Sequence, residues 1–136
     1  GQTLMEPGEI LTEFFIPPLL PQSGSAYWKH TRREAMELPL LGVGLYLALA
    51  EDRKTCLKSR IGLGVAAPTP IRALLAEEYL QGKAIDETTL TEAGKIAAKE
   101  TKVRDSIRGR AWYRREMVEV LLRRAGLKVM TRVQSS

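Results

Sequence analysis

The sequence predicts an α+β fold, an antiparallel sheet of three to four strands with three helices packed on one face. First, β-prone segments fill the first half of the 136-residue chain and helical patterns fill the second half. Second, two apolar strands alternate bulky side chains with small ones, which gives a sheet one apolar face and one shallow face. The length suits one domain over residues 1–136, with an ordered core at about 8–127 and a frayed C-terminal tail.

Four segments are predicted as strands. Residues 9–16 form a short β-prone run that ends at Pro17-Pro18, because proline cannot donate to a ladder. The other three predicted strands are residues 25–31, 40–50 and 57–66.

The last two predicted strands have unlike faces. Side chains that point to one face are Leu41, Val43, Leu45, Leu47, Leu49, Leu57, Ile61, Leu63 and Val65. Side chains that point to the other face are Gly42, Gly44, Tyr46, Ala48, Gly62, Gly64 and Ala66. The bulky face is the one that helices would cover. Glycines on the other face have two interpretations: they permit twist and bending of the sheet, or they leave room for a second body.

The first helix is predicted to follow the APTP segment, with Thr69 as its cap and Pro70 at its first position. Gly82 is its expected terminator. The predicted apolar face of this helix consists of Ile71, Leu74, Leu75 and Tyr79.

Two further helices are predicted after it. Asp86 caps the second, whose narrow apolar face carries Leu90, Ala93 and Ala97. Asp105 or Ser106 begins the third, and Gly126 ends it. The predicted buried side of the third helix consists of Ala111, Val118, Leu121, Leu122 and Ala125.

Composition excludes several classes of protein. The net charge of +5 comes from Lys and Arg residues that are interleaved with acids, without a zinc finger, an RNP motif or a long basic block, so a role without nucleic acid is favoured. The single cysteine, Cys56, excludes an internal disulfide and a cysteine-built metal site. No segment is apolar for long enough to span a membrane, no secretory signal begins the chain, and a cytoplasmic location is expected.

The residues themselves offer little catalytic chemistry. There is no glycine-rich phosphate loop. His30, the sole histidine, has no acidic neighbour in sequence, so a structural role or plain exposure is expected rather than catalysis. Cys56 is expected to be inert, and Glu77-Glu78 to lie on a solvated helix face. No catalytic residue and no metal ligand is therefore predicted.

The strand at 25–31 is the most informative segment. Tyr27 and Lys29 share one face, which would place an ammonium beside an aromatic ring. Arg32 and Arg33, just beyond, could reach a phosphate or a carboxylate. From the residues alone, a solvated edge strand is the favoured interpretation.

Three stretches together resemble a known family. They are SAYWKHTRREAMELPLLGVGLYLAL, RIGLGVAAPTPIRA and DSIRGRAWYRREMVEVLLRRA. Their order and spacing are similar to the C-terminal domain of the FAD-binding medium subunit of molybdenum hydroxylases, the family of carbon monoxide and xanthine dehydrogenases. The combination is specific, whereas each piece alone is not.

The resemblance implies both a fold and a role. The fold is the same one-sided α+β sandwich. The role is to complete a flavin site whose FAD is held chiefly by an N-terminal domain with glycine-rich loops, which this chain lacks. In such enzymes electrons pass from a molybdopterin subunit through 2Fe-2S clusters to FAD. The implied partners are therefore that N-terminal domain and the iron–sulfur and molybdenum subunits, with no nucleic acid and no membrane, and the isolated domain is expected to be inactive.

The resemblance also implies site residues. Lys29 matches the family lysine that approaches the isoalloxazine ring, and Tyr27 shares its face. Arg32 and Arg33 match family positions that we assign to structure or docking. Glu37 and Pro39 depart from the Asp and Ala usual in relatives. The opening GQTLMEPGEIL resembles the family's entry into this domain, which favours a fragment of a longer subunit.

Two other functions stay open at this point. One is a small basic nucleic-acid-binding or adaptor module whose positive surface consists of Lys29, Arg32, Arg33, Lys58 and Arg60. The other is a purely structural domain that has lost contact with flavin.

Overall fold

The computed structural model describes residues 4–33, 35–107 and 109–135. Its strands are β1 (Ser23–His30), β2 (Leu41–Leu49), β3 (Cys56–Gly64) and β4 (Ile71–Arg72). Its helices are α1 (Leu74–Leu80), α2 (Glu87–Glu100) and α3 (Ala111–Gln134). The strands form one antiparallel sheet in the order β1-β2-β3-β4. The predicted α+β architecture is confirmed.

The hydrophobic core lies between one face of the sheet and the helices. The bulky side chains of β2 and most of those of β3 are buried there, as the alternation predicted. Helix α3 contacts β1 and β2, α1 contacts β3, and α2 packs against α1 and α3. Leu57 departs from the prediction, since it is 58% exposed at the beginning of β3. None of the described helices has the length and hydropathy that crossing a bilayer requires.

The predicted strand at residues 9–16 is wrong. Residues 4–21 are exposed throughout and contain no strand, although they include Phe14, Phe15 and Ile16. A β-prone segment forms a strand only where a neighbouring strand offers hydrogen bonds, and the described sheet begins at Ser23. The core therefore begins near Ser23 and not near residue 8, as was predicted.

Helix α3 is displaced toward the C-terminus. It begins at Ala111 rather than at Asp105 or Ser106. Asp105 still caps it from a distance, since its Oδ1 accepts a 2.7 Å hydrogen bond from the N–H of Ala111 and this bond lowers the pKa of the carboxyl group. Gly126 does not end the helix, which runs on to Gln134.

The C-terminal segment is packed rather than frayed. Val129, Met130 and Val133 are buried in the core. Nearby, Arg132 donates a 2.7 Å hydrogen bond to the carbonyl oxygen of Ser25 on β1. The end of α3 thus covers the outer edge strand of the sheet, and an unprotected edge would invite pairing with another chain.

The predicted start of α1 at Thr69 and Pro70 is also wrong. Ile71–Arg72 forms the short strand β4, and the helix begins at Leu74 without a side-chain cap from its own N-cap residue. The carboxylate of Glu100, at the end of α2, accepts hydrogen bonds of 3.1 Å from the N–H groups of Leu75 and Ala76. A residue 24 positions away therefore caps the helix, and Leu74 and Leu75 are exposed instead of buried.

The predicted end of α1 and the predicted start of α2 agree better with the structure. Gly82 follows α1 with a φ of 74°, which favours glycine. Asp86 is the N-cap of α2, and its side chain accepts a 2.7 Å hydrogen bond from the N–H of Thr89. That hydrogen bond lowers the pKa of Asp86. The predicted buried residues of α2, Leu90, Ala93 and Ala97, lie in the core.

At Gly94 the backbones of α2 and α3 come close to each other. A Cβ atom at Gly94 would lie 2.8 Å from Cα and 3.0 Å from the carbonyl oxygen of Glu119. We expect Gly94→Ala to lower the free energy of unfolding by about 1–3 kcal/mol, because two backbones must separate. Urea denaturation measures this.

The matched control is Gly62→Ala, at a position where nothing lies within 4 Å of the added atom. It should stay within about 0.5 kcal/mol of the wild type. Equal destabilisation by the two substitutions would contradict this account of the helix packing.

Candidate functional site

The sheet face opposite the helices is open. We call the surface formed by Tyr27, Lys29, Gly42, Gly44, Tyr46, Arg60, Gly62 and Gly64 the open face. Strand pairing sets these residues side by side: Tyr27 lies opposite Gly44, which lies opposite Gly62, and Lys29 lies opposite Gly42. Part of this surface is an open groove of about 530 Å³, lined by Tyr27, Gly44, Tyr46, Arg60 and Gly62, with Lys128 and Arg132 of α3 at its rim.

The aromatic ring of Tyr27 explains two of the glycines. A Cβ atom at Gly42 would lie 2.7 Å from the Tyr27 hydroxyl oxygen, and one at Gly44 would lie 3.7 Å from Cδ2 of the same ring. The ring therefore lies over β2, while its side chain remains 64% exposed. Gly62, by contrast, has open space above it. Gly42 thus makes room for a ring of the same chain, which neither interpretation of the glycines predicted, and the surface at Gly62 is left free.

The open face is positively charged. Lys29, Lys58 and Arg60 are exposed and belong to the same side of the sheet. The four strands contain no aspartate or glutamate. A planar or anionic group placed here would therefore meet cations and hydrogen-bond donors without a competing carboxylate in the sheet.

Glu77 closes one edge of the sheet and is not the solvated residue that the sequence predicted. It is 7% exposed. Because β4 is only two residues long, it leaves the N–H of Ile61 unpaired, and Oε1 of Glu77 accepts that hydrogen bond at 2.8 Å. Arg72 binds both carboxylate oxygens, and Nη1 of Arg60 lies 3.6 Å from Oε2. The carboxylate of Glu77 thus takes the place of a strand carbonyl as the acceptor for Ile61, and it also binds two arginines.

The protonation of Glu77 follows from these contacts. Burial by itself would raise the pKa of the carboxyl group, but the hydrogen bonds from Arg72 and from the Ile61 N–H, together with the charges of Arg72 and Arg60, outweigh it and lower the pKa. The carboxylate therefore stays ionised at neutral pH. The same contacts raise the pKa of Arg72.

The loop after β1 is held by backbone contacts. The N–H of Arg33 donates to Oε2 of Glu37 at 2.6 Å, and the N–H of Leu40 donates to the carbonyl oxygen of His30 at 2.8 Å. Glu37, although longer than the aspartate usual in the resembling family, still makes a hydrogen bond that closes the loop. Arg32 lines a separate cavity with Trp112 and Tyr113.

The sole histidine and the sole cysteine both have structural surroundings. Nε2 of His30 lies 3.0 Å from the hydroxyl oxygen of Tyr113, which links β1 to the first turn of α3. Cys56 is fully buried, and burial raises the pKa of its thiol. No group of three or more potential metal-ligating side chains occurs in the described parts of the chain.

The fold and the open face define the class of this domain: a sandwich with helices on one face of an antiparallel sheet and a glycine-rich, cationic surface on the other. The chain belongs to the CO dehydrogenase flavoprotein C-terminal domain family, whose model matches residues 26–129. The resemblance that the sequence motifs indicated is thereby confirmed.

Named relatives agree with this family. The chain is 30% identical over 125 residues to a xanthine dehydrogenase FAD-binding subunit of Escherichia coli O157:H7, covering 91% of the chain and 42% of the relative. It is 32% identical over 134 residues to the carbon monoxide dehydrogenase medium chain of Afipia carboxidovorans, covering 98% of the chain and 45% of the relative. The chain thus spans less than half the length of these relatives.

Solved structures agree as well. A reconstituted CO dehydrogenase from Oligotropha carboxidovorans matches with a TM-score of 0.76 and 32% identity, over 86% of this chain and 39% of that one. A carbon monoxide dehydrogenase from Hydrogenophaga pseudoflava that lacks the Mo-pyranopterin moiety of its cofactor matches with a TM-score of 0.77 and 27% identity, over 87% and 40%.

Glu77 generates a pH-dependent prediction. Because its folded pKa is lowered, the stability that it contributes is present above its usual pKa of 4.5 and is lost as the pH falls through the lower folded value. Glu77→Gln should lower the free energy of unfolding at pH 7 by about 1–3 kcal/mol, since it weakens charge-assisted hydrogen bonds to a buried group. Below pH 4.5 the difference from the wild type should shrink.

Urea denaturation at a series of pH values measures both effects. Glu78→Gln is the matched control, because Glu78 is the exposed neighbour on the same helix. The control should change stability little at every pH. A pH response of Glu78→Gln equal to that of Glu77→Gln would show that Glu77 has no special role.

Proposed function

We propose that this domain completes the flavin site of a molybdenum-hydroxylase-type dehydrogenase and provides surface on which partner subunits dock. The observation that supports the proposal is the open face: an antiparallel sheet that is covered by helices on one side and left shallow and cationic on the other. The named relatives are an FAD-binding subunit and a medium chain of such dehydrogenases. FAD itself would be bound chiefly by an N-terminal domain. Electrons would reach the FAD from molybdopterin through 2Fe-2S clusters on partner subunits.

The residues of the open face fit one side of a flavin. Gly62 has nothing within 4 Å of an added Cβ atom, so a flat ring could come close to the backbone there. The exposed ring of Tyr27 offers an aromatic wall beside this space. No carboxylate of the strands opposes an electron-rich ring system. When bound, the flavin would supply the two-electron redox chemistry, and this chain would supply its surroundings.

Lys29 is the residue that we propose for electrostatic support. It is exposed on the open face beside Gly42, and within the described residues it makes no hydrogen bond or ion pair that would occupy its ammonium group. A fixed cation at this position would stabilise negative charge that develops on a bound ring during reduction. Tyr27 is proposed to line the same side, and neither residue is proposed as an acid or base.

The division of labour between domains gives a direct prediction. The chain titrated with FAD should quench flavin fluorescence little, because its open face offers a wall without a phosphate-binding loop. Addition of an N-terminal FAD-binding domain from a relative should restore strong, saturable binding. Tight stoichiometric binding of FAD by the chain alone would contradict the proposal.

The role of Lys29 is tested in that assembled flavoprotein. Lys29→Gln should lower the two-electron midpoint potential of the bound FAD by roughly 30 mV, which corresponds to the loss of about 1.4 kcal/mol of stabilisation of the reduced form. Spectroelectrochemical titration measures this. The control Lys54→Gln removes the same charge from the turn before β3 and should leave the potential unchanged. Equal shifts for the two variants would mean that Lys29 acts only through overall charge.

A further inference from the structure

A second cavity lies at the far end of β3, away from the open face. Its volume is about 220 Å³. One wall comes from residues 65, 67 and 68, which follow β3, and the other from residues 102–104, 106 and 107, which precede α3. The N–H of Lys102 donates a 2.9 Å hydrogen bond to the carbonyl oxygen of Ala66, so the two walls are fixed to each other. The side chain of Arg114 completes the lining.

Arg114 is a buried cation whose hydrogen bonds, among the described residues, go only to neutral acceptors. It is 5% exposed, and its Nη1 and Nη2 atoms donate to the carbonyl oxygen of Arg104 and to the hydroxyl oxygen of Ser106. Both of these acceptors are neutral. Its buried Nε atom has no hydrogen-bond partner among the described residues, and no ion pair of Arg114 occurs among them. A buried charge in this state is costly unless an anion neutralises it.

Further cations line the same cavity. Lys102 and Arg104 belong to its wall, and both are exposed, so their side chains can reach a ligand at the mouth. The segment 102–114 contains five basic residues and one acid, Asp105. Three positive side chains thus line one small cavity, and converging cations of this kind bind oxyanions.

Asp105 offsets the charge of Arg114 only in part, since the pKa of its carboxyl group is lowered first by the hydrogen bond from Ala111 and last by the charge of Arg114. It does not line the cavity, and its two oxygens are already engaged with the N–H of Ala111 at 2.7 Å and with Nη1 of Arg110 at 3.4 Å. Capping of α3 therefore uses the one acid of this segment. The cavity is left with a net positive lining.

We propose that this cavity is a binding site for a phosphate-class oxyanion, with Arg114 at its base and Lys102 and Arg104 at its mouth. A divalent tetrahedral oxyanion matches three converging cations better than a single carboxylate does, because it offers more charge and more acceptor oxygens. The source is either free phosphate or the phosphate group of a nucleotide. The proposal is independent of the flavin proposal, since no residue of the open face belongs to this cavity.

The test is a titration of the chain with inorganic phosphate at constant ionic strength, followed by isothermal calorimetry. We expect saturable binding with one site per chain, and binding of acetate at least tenfold weaker. Lys102→Gln and Arg104→Gln should each weaken phosphate binding about tenfold, because each removes one charge-assisted hydrogen bond. Both positions are exposed, so these variants should fold even if Arg114→Gln does not.

The matched control is Lys54→Gln, which removes one positive charge at the opposite end of β3 and should bind phosphate like the wild type. ADP serves as a second ligand: tighter binding than inorganic phosphate identifies a nucleotide as the source, and equal or weaker binding identifies free phosphate. The proposal is overturned if phosphate fails to saturate the chain, if acetate binds as well as phosphate, or if Lys54→Gln weakens binding as much as Lys102→Gln.

Discussion

The unequal faces of β2 and β3 are the constraint on which the structure depends. Leucine and valine at alternate positions of β2 require cover, and α3 provides it, while α1 covers β3. Glycines at the intervening positions leave little to bury on the other side. Burial of the apolar side chains on one face of the sheet stabilises the fold. The second face is not needed for this burial and stays uncovered.

The edges of this sheet are finished by charged side chains instead of further strands. At β3 the carboxylate of Glu77 accepts the hydrogen bond that a longer β4 would accept. At β1 Arg132 donates to a carbonyl oxygen of the edge strand. Both contacts fix the sheet laterally and leave its open face uncovered, so a rigid, one-sided surface results. A surface with fixed edges suits the proposed role as one wall of a flavin site.

The sequence predicted what depends on local pattern and missed what depends on distant neighbours. The alternation of bulky and small side chains predicted the two faces of the sheet, and Asp86 was correctly predicted as the cap of α2. Each of these patterns lies within a few residues of the sequence. The start of α1 was wrong because its cap, Glu100, comes from another helix. The sequence places Glu77 on a solvated face because its partners, a strand N–H and two arginines, converge only after folding. The charge of Arg114 was likewise indistinguishable from that of a surface arginine.

In the proposed function, the open face is where a second domain or its flavin meets this chain. Lysine acylation followed by mass spectrometry tests it directly, with the chain alone and with the chain assembled with an FAD-binding domain. The account predicts that Lys29, reactive in the chain alone, becomes protected on assembly, while Lys54 and Lys99 on other surfaces keep their reactivity. Unchanged reactivity of Lys29 together with protection of Lys99 on α2 would contradict it, because docking would then use the helical side.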